Sequence, residues 1–189
     1  MRDVIIAWKD QDRADLSRVL VPLLARAVRV ALVECTPVTR QLLAAGGAVA
    51  VPIPSRAAGT RVRGRVPVAE VLRMVLSGRA PGSVLRPLSA LRYARPVRDQ
   101  AGLGHQDRAQ NVTGAMAVST RLSRHLEGVP VILVDDIVTT GSTLAEATRV
   151  VCAAGAGPVL AVALAATERR SVGGPDRDPS GIPPESSRD

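Results

Sequence analysis

Apolar residues follow two distinct patterns along the chain. Apolar side chains recur at helical spacing in residues 14–31 and again in residues 66–77. Short continuous apolar runs, which are typical of strands buried on both faces, occupy residues 48–54, 129–134 and 158–166. This mixture predicts an α/β fold: a doubly wound, mostly parallel sheet flanked by helices.

The clearest prediction concerns one strand–helix–strand succession. The run VPVILV at 129–134 predicts the strongest strand, and apolar positions over 142–154 predict a helix that ends before Gly155. The apolar run at 158–166 predicts the next strand. Such spacing favours a right-handed βαβ unit with parallel strands.

Other elements are weaker or polar. Residues 83–88 predict a short strand, and residues 107–126 suggest a further helix. Residues 92–110 are polar and glycine-rich, so we expect a long functional or mobile loop. Residues 171–189 are rich in Pro, Gly, Ser and charge, which predicts a disordered tail after a single domain at 1–170.

Composition narrows the classes of function. Trp8 and Tyr93 are the only aromatic residues, so a nucleic-acid surface built on base stacking is improbable. The formal net charge is +8, and residues 56–108 carry eleven arginines against three acidic residues. Such a basic segment predicts anionic ligands, either phosphates on a small molecule or a nucleic-acid backbone.

The two cysteines, Cys35 and Cys152, lie far apart and have no metal-ligand spacing. They imply no disulfide framework, and a reduced, cytoplasmic setting fits. The apolar run at 150–166 is interrupted by Gly and Pro, and the chain opens with charged residues. We therefore expect no signal peptide and no membrane insertion.

The segment VILVDDIVTTGSTLAEA, at 131–147, joins a buried strand to a helix through polar residues. Asp135 and Asp136 stand at the predicted carboxyl end of the strand, where ligands bind in open α/β sheets. The turn then offers hydroxyls, a glycine and a helix N-terminus, which together suit a phosphate. These turn residues are Thr139, Thr140, Gly141, Ser142 and Thr143. A ribose 5-phosphate has the matching shape.

Three other interpretations of this segment are weaker. The magnesium-binding strand of a nucleotide hydrolase would need a G-x-x-x-x-G-K-[ST] loop, which the sequence lacks. A receiver domain would need a distant lysine, and the only lysine, Lys9, stands in the wrong place. An ordinary N-capped helix would explain Ser142 but not two acids with two threonines.

The segment VILVDDIVTTGSTL resembles the phosphoribosyl-pyrophosphate (PRPP) signature of type I phosphoribosyltransferases. Further stretches resemble the ComF family of competence-associated proteins, and the similarity covers roughly residues 3–168. These stretches are IIAWK at 5–9, VAVPIPSR at 49–56, RVRGR at 61–65 and RYARPVRDQAGLGHQDRAQNV at 92–112.

The resemblance implies a PRPP-dependent transfer of a 5-phosphoribosyl group to an amine or nucleobase, with Mg²⁺ and release of pyrophosphate. It implies that Asp135 and Asp136 bind the ribose hydroxyls, with Asp136 as the proton acceptor, and that residues 139–143 hold the 5-phosphate. The loop at Ser55 and Arg56 would contact pyrophosphate.

The segment at 92–110 would form a closing flap, with Arg95 and Arg98 completing the pyrophosphate clamp. PRPP is then the small-molecule ligand, and Lys9 would either reach a phosphate or lie in an exposed loop. A homodimer and a partner in the DNA-uptake machinery are further expectations.

The chain departs from the family at three places. The usual four-cysteine zinc module is absent, so either the sequence begins after it or this member lost it. The family's Arg-Gly-Phe-Asn-Gln is replaced by Arg63-Gly64-Arg65-Val66-Pro67, and Val97 stands in place of a Thr. Two alternatives to catalysis stay open: a non-catalytic PRPP- or nucleotide-binding accessory protein, and direct nucleic-acid binding by the 56–108 arginines.

Overall fold

A computed structural model of the chain describes residues 1–55, 64–77, 85–97 and 111–167. The helices are α1 (Arg2–Asp10), α2 (Ser17–Glu34), α3 (Pro37–Gly46), α4 (Pro67–Ser77) and α5 (Ser142–Ala153). The strands are β1 (Ala48–Pro52), β2 (Leu85–Pro87), β3 (Leu91–Tyr93), β4 (Met116–Val118), β5 (Val131–Val138) and β6 (Val159–Ala166). Short 3-10 turns cover Ala14–Leu16 and Ser123–His125.

Four strands form a parallel sheet in the order β2-β1-β5-β6. The central strand β5 pairs with β1 on one side, as at Val51 and Leu133, and with β6 on the other. The strand–helix–strand prediction is confirmed, because β5, α5 and β6 follow one another and the two strands are parallel. The short strand expected at 83–88 is also present, as β2.

Helices cover both faces of this sheet. Alternate side chains of β5 point to opposite sides: Ile132 and Val134 pack in the cluster that includes α1, α2 and α4. Val131 and Leu133 pack in the second cluster, against α5 and the β3–β4 hairpin. The predicted fold class, a mostly parallel sheet flanked by helices, is confirmed.

The chain leaves the two central strands, β1 and β5, towards opposite edges of the sheet. From β1 the chain proceeds through α4 to β2 at one edge, whereas β5 leads through α5 to β6 at the other. Where the connections after two neighbouring strands run in opposite directions, a crevice forms beyond the carboxyl ends of those strands. Open α/β sheets bind ligands in this crevice. Residues 53–55 and 139–141 follow β1 and β5 into this crevice.

The helix predicted over residues 107–126 is wrong for most of its described part, of which Asn111 and Val112 alone are α-helical. β4 pairs there antiparallel with β3, with Leu91 opposite Val118 and Tyr93 opposite Met116. The loop predicted at 92–110 likewise begins inside β3. Strands of three residues are too short to show a two-residue alternation, so the sequence pattern missed this hairpin. Most of the predicted flap, at 98–110, and the tail at 171–189 lie outside the described residues.

Candidate functional site

A cavity of about 510 Å³ opens at the crevice between β1 and β5. Its wall combines the ends of these two strands, the beginning of α5 and one side of α1. The polar or charged lining residues are Arg2, Lys9, Asp10, Ser55, Tyr93, Asp135, Asp136, Thr139, Thr140 and Thr143. The cavity therefore brings together the two aspartates, the turn after β5 and Ser55, as the sequence predicts.

Asp135 and Asp136 are buried, with 7% and 4% of their surface exposed. Asp135 Oδ1 accepts a hydrogen bond from the Asp136 N–H at 2.9 Å, and Asp136 Oδ1 accepts one from the Ile137 N–H at 2.8 Å. The expectation that the two acids end the strand is wrong. β5 continues through Val138 because β6 still pairs with it there.

Lys9 forms an ion pair with Asp136, through Nζ and Oδ2. Oδ2 is buried and accepts no hydrogen bond from the part of the chain that the structure describes, so the ammonium group is its charge partner. Lys9 lies in the last turn of α1 and is about one-third exposed, so an exposed loop position is ruled out. The sequence could not reveal this contact, because the two residues are far apart along the chain.

The environment of Asp135 favours its neutral form. Burial, and after it the neighbouring charge of Asp136, raise the pKa of this carboxyl to about 7, while Lys9 opposes the shift. Two adjacent buried carboxyls with one ammonium group thus have incomplete charge compensation. Hydroxyl donors, or a cation brought by a ligand, would therefore stabilise the charge of this site.

The turn after β5 exposes backbone donors at the start of α5. Gly141 precedes the helix with φ of 80°, a conformation that favours glycine. Thr140 Oγ1 accepts the Ser142 N–H at 3.3 Å and lies 2.8 Å from Ser142 Oγ. The N–H groups of Thr143 and Leu144 have no acceptor among the described residues. These free donors and the helix dipole suit an anion.

The predicted arginine clamp is only partly within the described chain. Ser55 lines the cavity, whereas Arg56 and Arg98 lie outside the described residues. Arg95 donates a hydrogen bond to the Thr113 carbonyl at 2.7 Å, across the base of the flap segment, and is absent from the cavity wall.

Arg65 fastens α1 against the rest of the domain. Its guanidinium donates to the Trp8 carbonyl at 2.6 Å and pairs with Asp12 at 2.5 Å and Glu70 at 3.3 Å. The Trp8 indole is itself buried and donates to Ser17 Oγ at 3.0 Å. Arg65 belongs to the segment in which the sequence departs from the ComF pattern. It stabilises the position of α1, which forms one side of the cavity, and its charge is paired and contributes to no free basic patch. No local pattern in the sequence predicts this role.

No group of three or more His, Cys, Asp or Glu side chains that could hold a metal ion occurs among the described residues. The two aspartates offer carboxylate oxygens, which are suitable ligands for Mg²⁺. Mg²⁺ commonly uses one or two carboxylates together with substrate phosphates. The donor set fits an ion that arrives with a phosphorylated ligand.

None of the helices in the described ranges is long and apolar enough to cross a membrane.

Comparison with known proteins identifies a domain in the second half of the chain. Residues 90–180 match the family model of the phosphoribosyl transferase domain, a range that contains both aspartates and the turn. This part of the chain is therefore similar to a phosphoribosyl transferase domain. No curated protein matches the sequence.

Nine chains of solved structures also match. One is described as the allosteric regulatory enzyme of purine biosynthesis; the two sequences are 17% identical, and the TM-score is 0.39. The match covers 67% of this chain and 24% of that chain, so this chain corresponds to about a quarter of the other's length.

Proposed function

We propose that this chain is a PRPP-binding phosphoribosyltransferase-like protein of the ComF type. It transfers the 5-phosphoribosyl group to an amine or nucleobase acceptor and releases pyrophosphate. A cytoplasmic location, suggested by the two free cysteines, is part of this proposal.

The observation that carries the proposal is the layout of the cavity. Asp135 and Asp136 line its wall beside the turn at 139–143, where backbone donors are free for an anion. Carboxylates accept hydrogen bonds from sugar hydroxyls, and a helix N-terminus binds phosphate. A ribose 5-phosphate presents both groups on one small molecule, which supports PRPP over a ligand that carries only one of them.

In the proposed reaction the acceptor nitrogen attacks C1 of the ribose while the bond from C1 to the pyrophosphate oxygen breaks. The electron pair of that bond leaves with pyrophosphate, and Asp136 accepts the proton lost by the acceptor. Ser55, Arg56 and Arg98 are assigned to the departing pyrophosphate, where guanidinium groups suit phosphate oxygens. Arg95, which lies outside the cavity wall and donates to the Thr113 carbonyl, would join them only by leaving that contact. Closure of the 92–110 segment would exclude water and suppress hydrolysis of PRPP.

Asp135 and Asp136 are the residues that would hold Mg²⁺, together with the oxygens of PRPP. When bound, the ion neutralises the charge that develops on the leaving pyrophosphate. The chain itself orients the sugar through these carboxylates and binds the 5-phosphate through the turn.

The test is a binding titration of Mg-PRPP followed by a pyrophosphate-release assay with a panel of amines and nucleobases. We expect binding, and release with at least one acceptor. Asp136→Asn should abolish most of the release, with Asp15→Asn, a change at a remote exposed acid, as the control. Undiminished release by Asp136→Asn would remove this residue from the scheme, and absence of Mg-PRPP binding would refute the proposal as a whole.

A second candidate is a non-catalytic PRPP- or nucleotide-binding accessory protein in DNA uptake. It is favoured by Arg65, which belongs to a segment that differs from the ComF pattern and is occupied in holding α1. This candidate predicts stabilisation by Mg-PRPP of about 2.7 kcal/mol at a hundredfold excess over Kd. It also predicts no pyrophosphate release with any acceptor, which separates it from the enzyme.

A further inference from the structure

The helix α1 contributes the only lysine of the sequence to the cavity wall. Lys9 pairs with Oδ2 of Asp136, while Oδ1 of the same carboxylate accepts the Ile137 N–H at 2.8 Å. Among the described residues, each oxygen of Asp136 therefore has one partner. A carboxylate has about four acceptor positions, so both oxygens retain capacity for a ligand hydroxyl.

The position of Lys9 is fixed by the packing of α1. Ile5 and Trp8, on the same helix, are fully buried, and Arg65 holds the Trp8 carbonyl next to Lys9. An ammonium group on a flexible stem normally gains little from a surface ion pair. Here one partner is 94% or more buried and the helix that carries the other is anchored, so the contact is part of the built site.

We propose that Lys9 is a positioning residue that fixes the Asp136 carboxylate for a ribose hydroxyl. Without the ammonium group, Asp136 would carry an unpaired buried charge directly beside Asp135. A buried unpaired charge is costly, and rotation of the side chain towards water relieves that cost. The rotation removes the acceptor that the sugar needs. This inference rests on the proposed function and assigns to α1 a part in recognising the sugar.

Lys9→Met tests the inference, because Met has a similar length and no charge. The probe is a methyl ribofuranoside 5-phosphate, which has the sugar hydroxyls but no free aldehyde that could react with an amine. Inorganic phosphate is the second probe, because it can use the turn after β5 but presents no sugar hydroxyl. We expect Lys9→Met to weaken binding of the sugar phosphate by about tenfold and to leave phosphate binding unchanged.

Two companion variants separate positioning from a structural effect. Lys9→Arg keeps the charge and should restore most of the affinity for the sugar phosphate. In an Asp136→Asn background, Lys9→Met should cause no further loss, because the two residues then act through one interaction. Equal losses of sugar phosphate and phosphate binding would mean that Lys9 contacts the phosphate directly, and would overturn the inference.

A second measurement uses the uniqueness of Lys9. Reductive ¹³C-methylation retains the charge and labels only this side chain and the N-terminal amine, so Lys9 gives a single side-chain NMR signal. We expect Asp136→Asn to shift that signal, and the methyl ribofuranoside phosphate to shift it only when Asp136 is present. An NMR signal of Lys9 that does not shift in the Asp136→Asn variant would overturn the inference. Failure of the unsubstituted chain to bind the sugar phosphate would instead count against the proposed function.

Discussion

The buried side chain of Glu146 on α5 accepts a hydrogen bond from the Met116 N–H on β4, with 3.3 Å between Oε1 and N. Glu146 also forms an ion pair with Arg149, one turn further along α5, at 2.8 Å. The helix that begins at the candidate phosphate turn is therefore joined to the hairpin from which the predicted flap extends.

Glu146→Ala should destabilise the fold by about 1–3 kcal/mol, because it leaves the Met116 N–H without its acceptor. Arg149→Ala is the matched control: it removes the ion pair, but the guanidinium is exposed and screened by solvent, so its effect should be much smaller. Urea unfolding of both variants measures the difference. Equal losses would show that the surface ion pair, and not the hydrogen bond to β4, is the stabilising contact.

Asp135 should make stability fall as the pH rises towards neutrality. Burial raises the pKa of this carboxyl to about 7 in the folded chain, so the folded state holds the proton more tightly than the unfolded state. Ionisation between the two pKa values therefore opposes folding, with a contribution of up to about 4 kcal/mol above pH 7.

Asp135→Asn removes this ionisation, so the stability of the variant relative to the parent should increase from pH 4 to pH 8. Chemical unfolding at a series of pH values measures the change. Asp15→Asn is the control: the Arg13 guanidinium lowers the pKa of Asp15, so the pH dependence has the opposite sign, and this exposed pair should contribute little. Parallel curves for Asp135→Asn and the parent would contradict the account.

Gly141→Ala should destabilise the chain by about 1–2 kcal/mol through the backbone alone. The added Cβ would meet no atom within 4 Å, but φ at this residue is +80°. Gly46→Ala, at the end of α3, is the control, because it has equal space and no positive φ; it should be neutral or slightly stabilising. Thermal unfolding compares the two, and similar effects would mean that the turn tolerates another conformation.

Arg65→Ala should cost about 2–3 kcal/mol, because the Trp8 carbonyl, Asp12 and Glu70 all lose a charged partner. Loss of the contacts of Arg65 with α1 and its neighbours should also increase amide hydrogen exchange in α1. Arg13→Ala breaks the exposed Arg13–Asp15 pair and is expected to change neither quantity. Hydrogen exchange of α1 that is unchanged in Arg65→Ala would show that burial of Ile5 and Trp8 is sufficient to hold the helix.

The parts of the fold that the sequence predicted are those with strong local patterns. The continuous apolar runs of β1, β5 and β6 and the periodic apolar face of α5 identify buried strands and an amphipathic helix without any distant information. The acids and the turn that follow β5 lie beside each other in sequence, so their proximity in the cavity could also be anticipated.

The contacts that the sequence did not predict depend on distant pairing. Nothing local indicates that Lys9 meets Asp136 or that Arg65 holds the Trp8 carbonyl, because packing of α1 against the sheet brings these groups together. The sequence around the β3–β4 hairpin instead predicts a loop and a helix. Its three-residue strands carry too little periodicity to outweigh the surrounding residues.

A crystal structure of the chain with PRPP and Mg²⁺ would show where the cavity binds the sugar and its 5-phosphate. We predict that the 5-phosphate oxygens lie about 2.7–3.2 Å from the backbone nitrogens of Thr143 and Leu144, with ribose hydroxyls at similar distances from Asp135 and Asp136. A phosphate bound away from this turn, or a sugar that does not contact either carboxylate, would contradict the account.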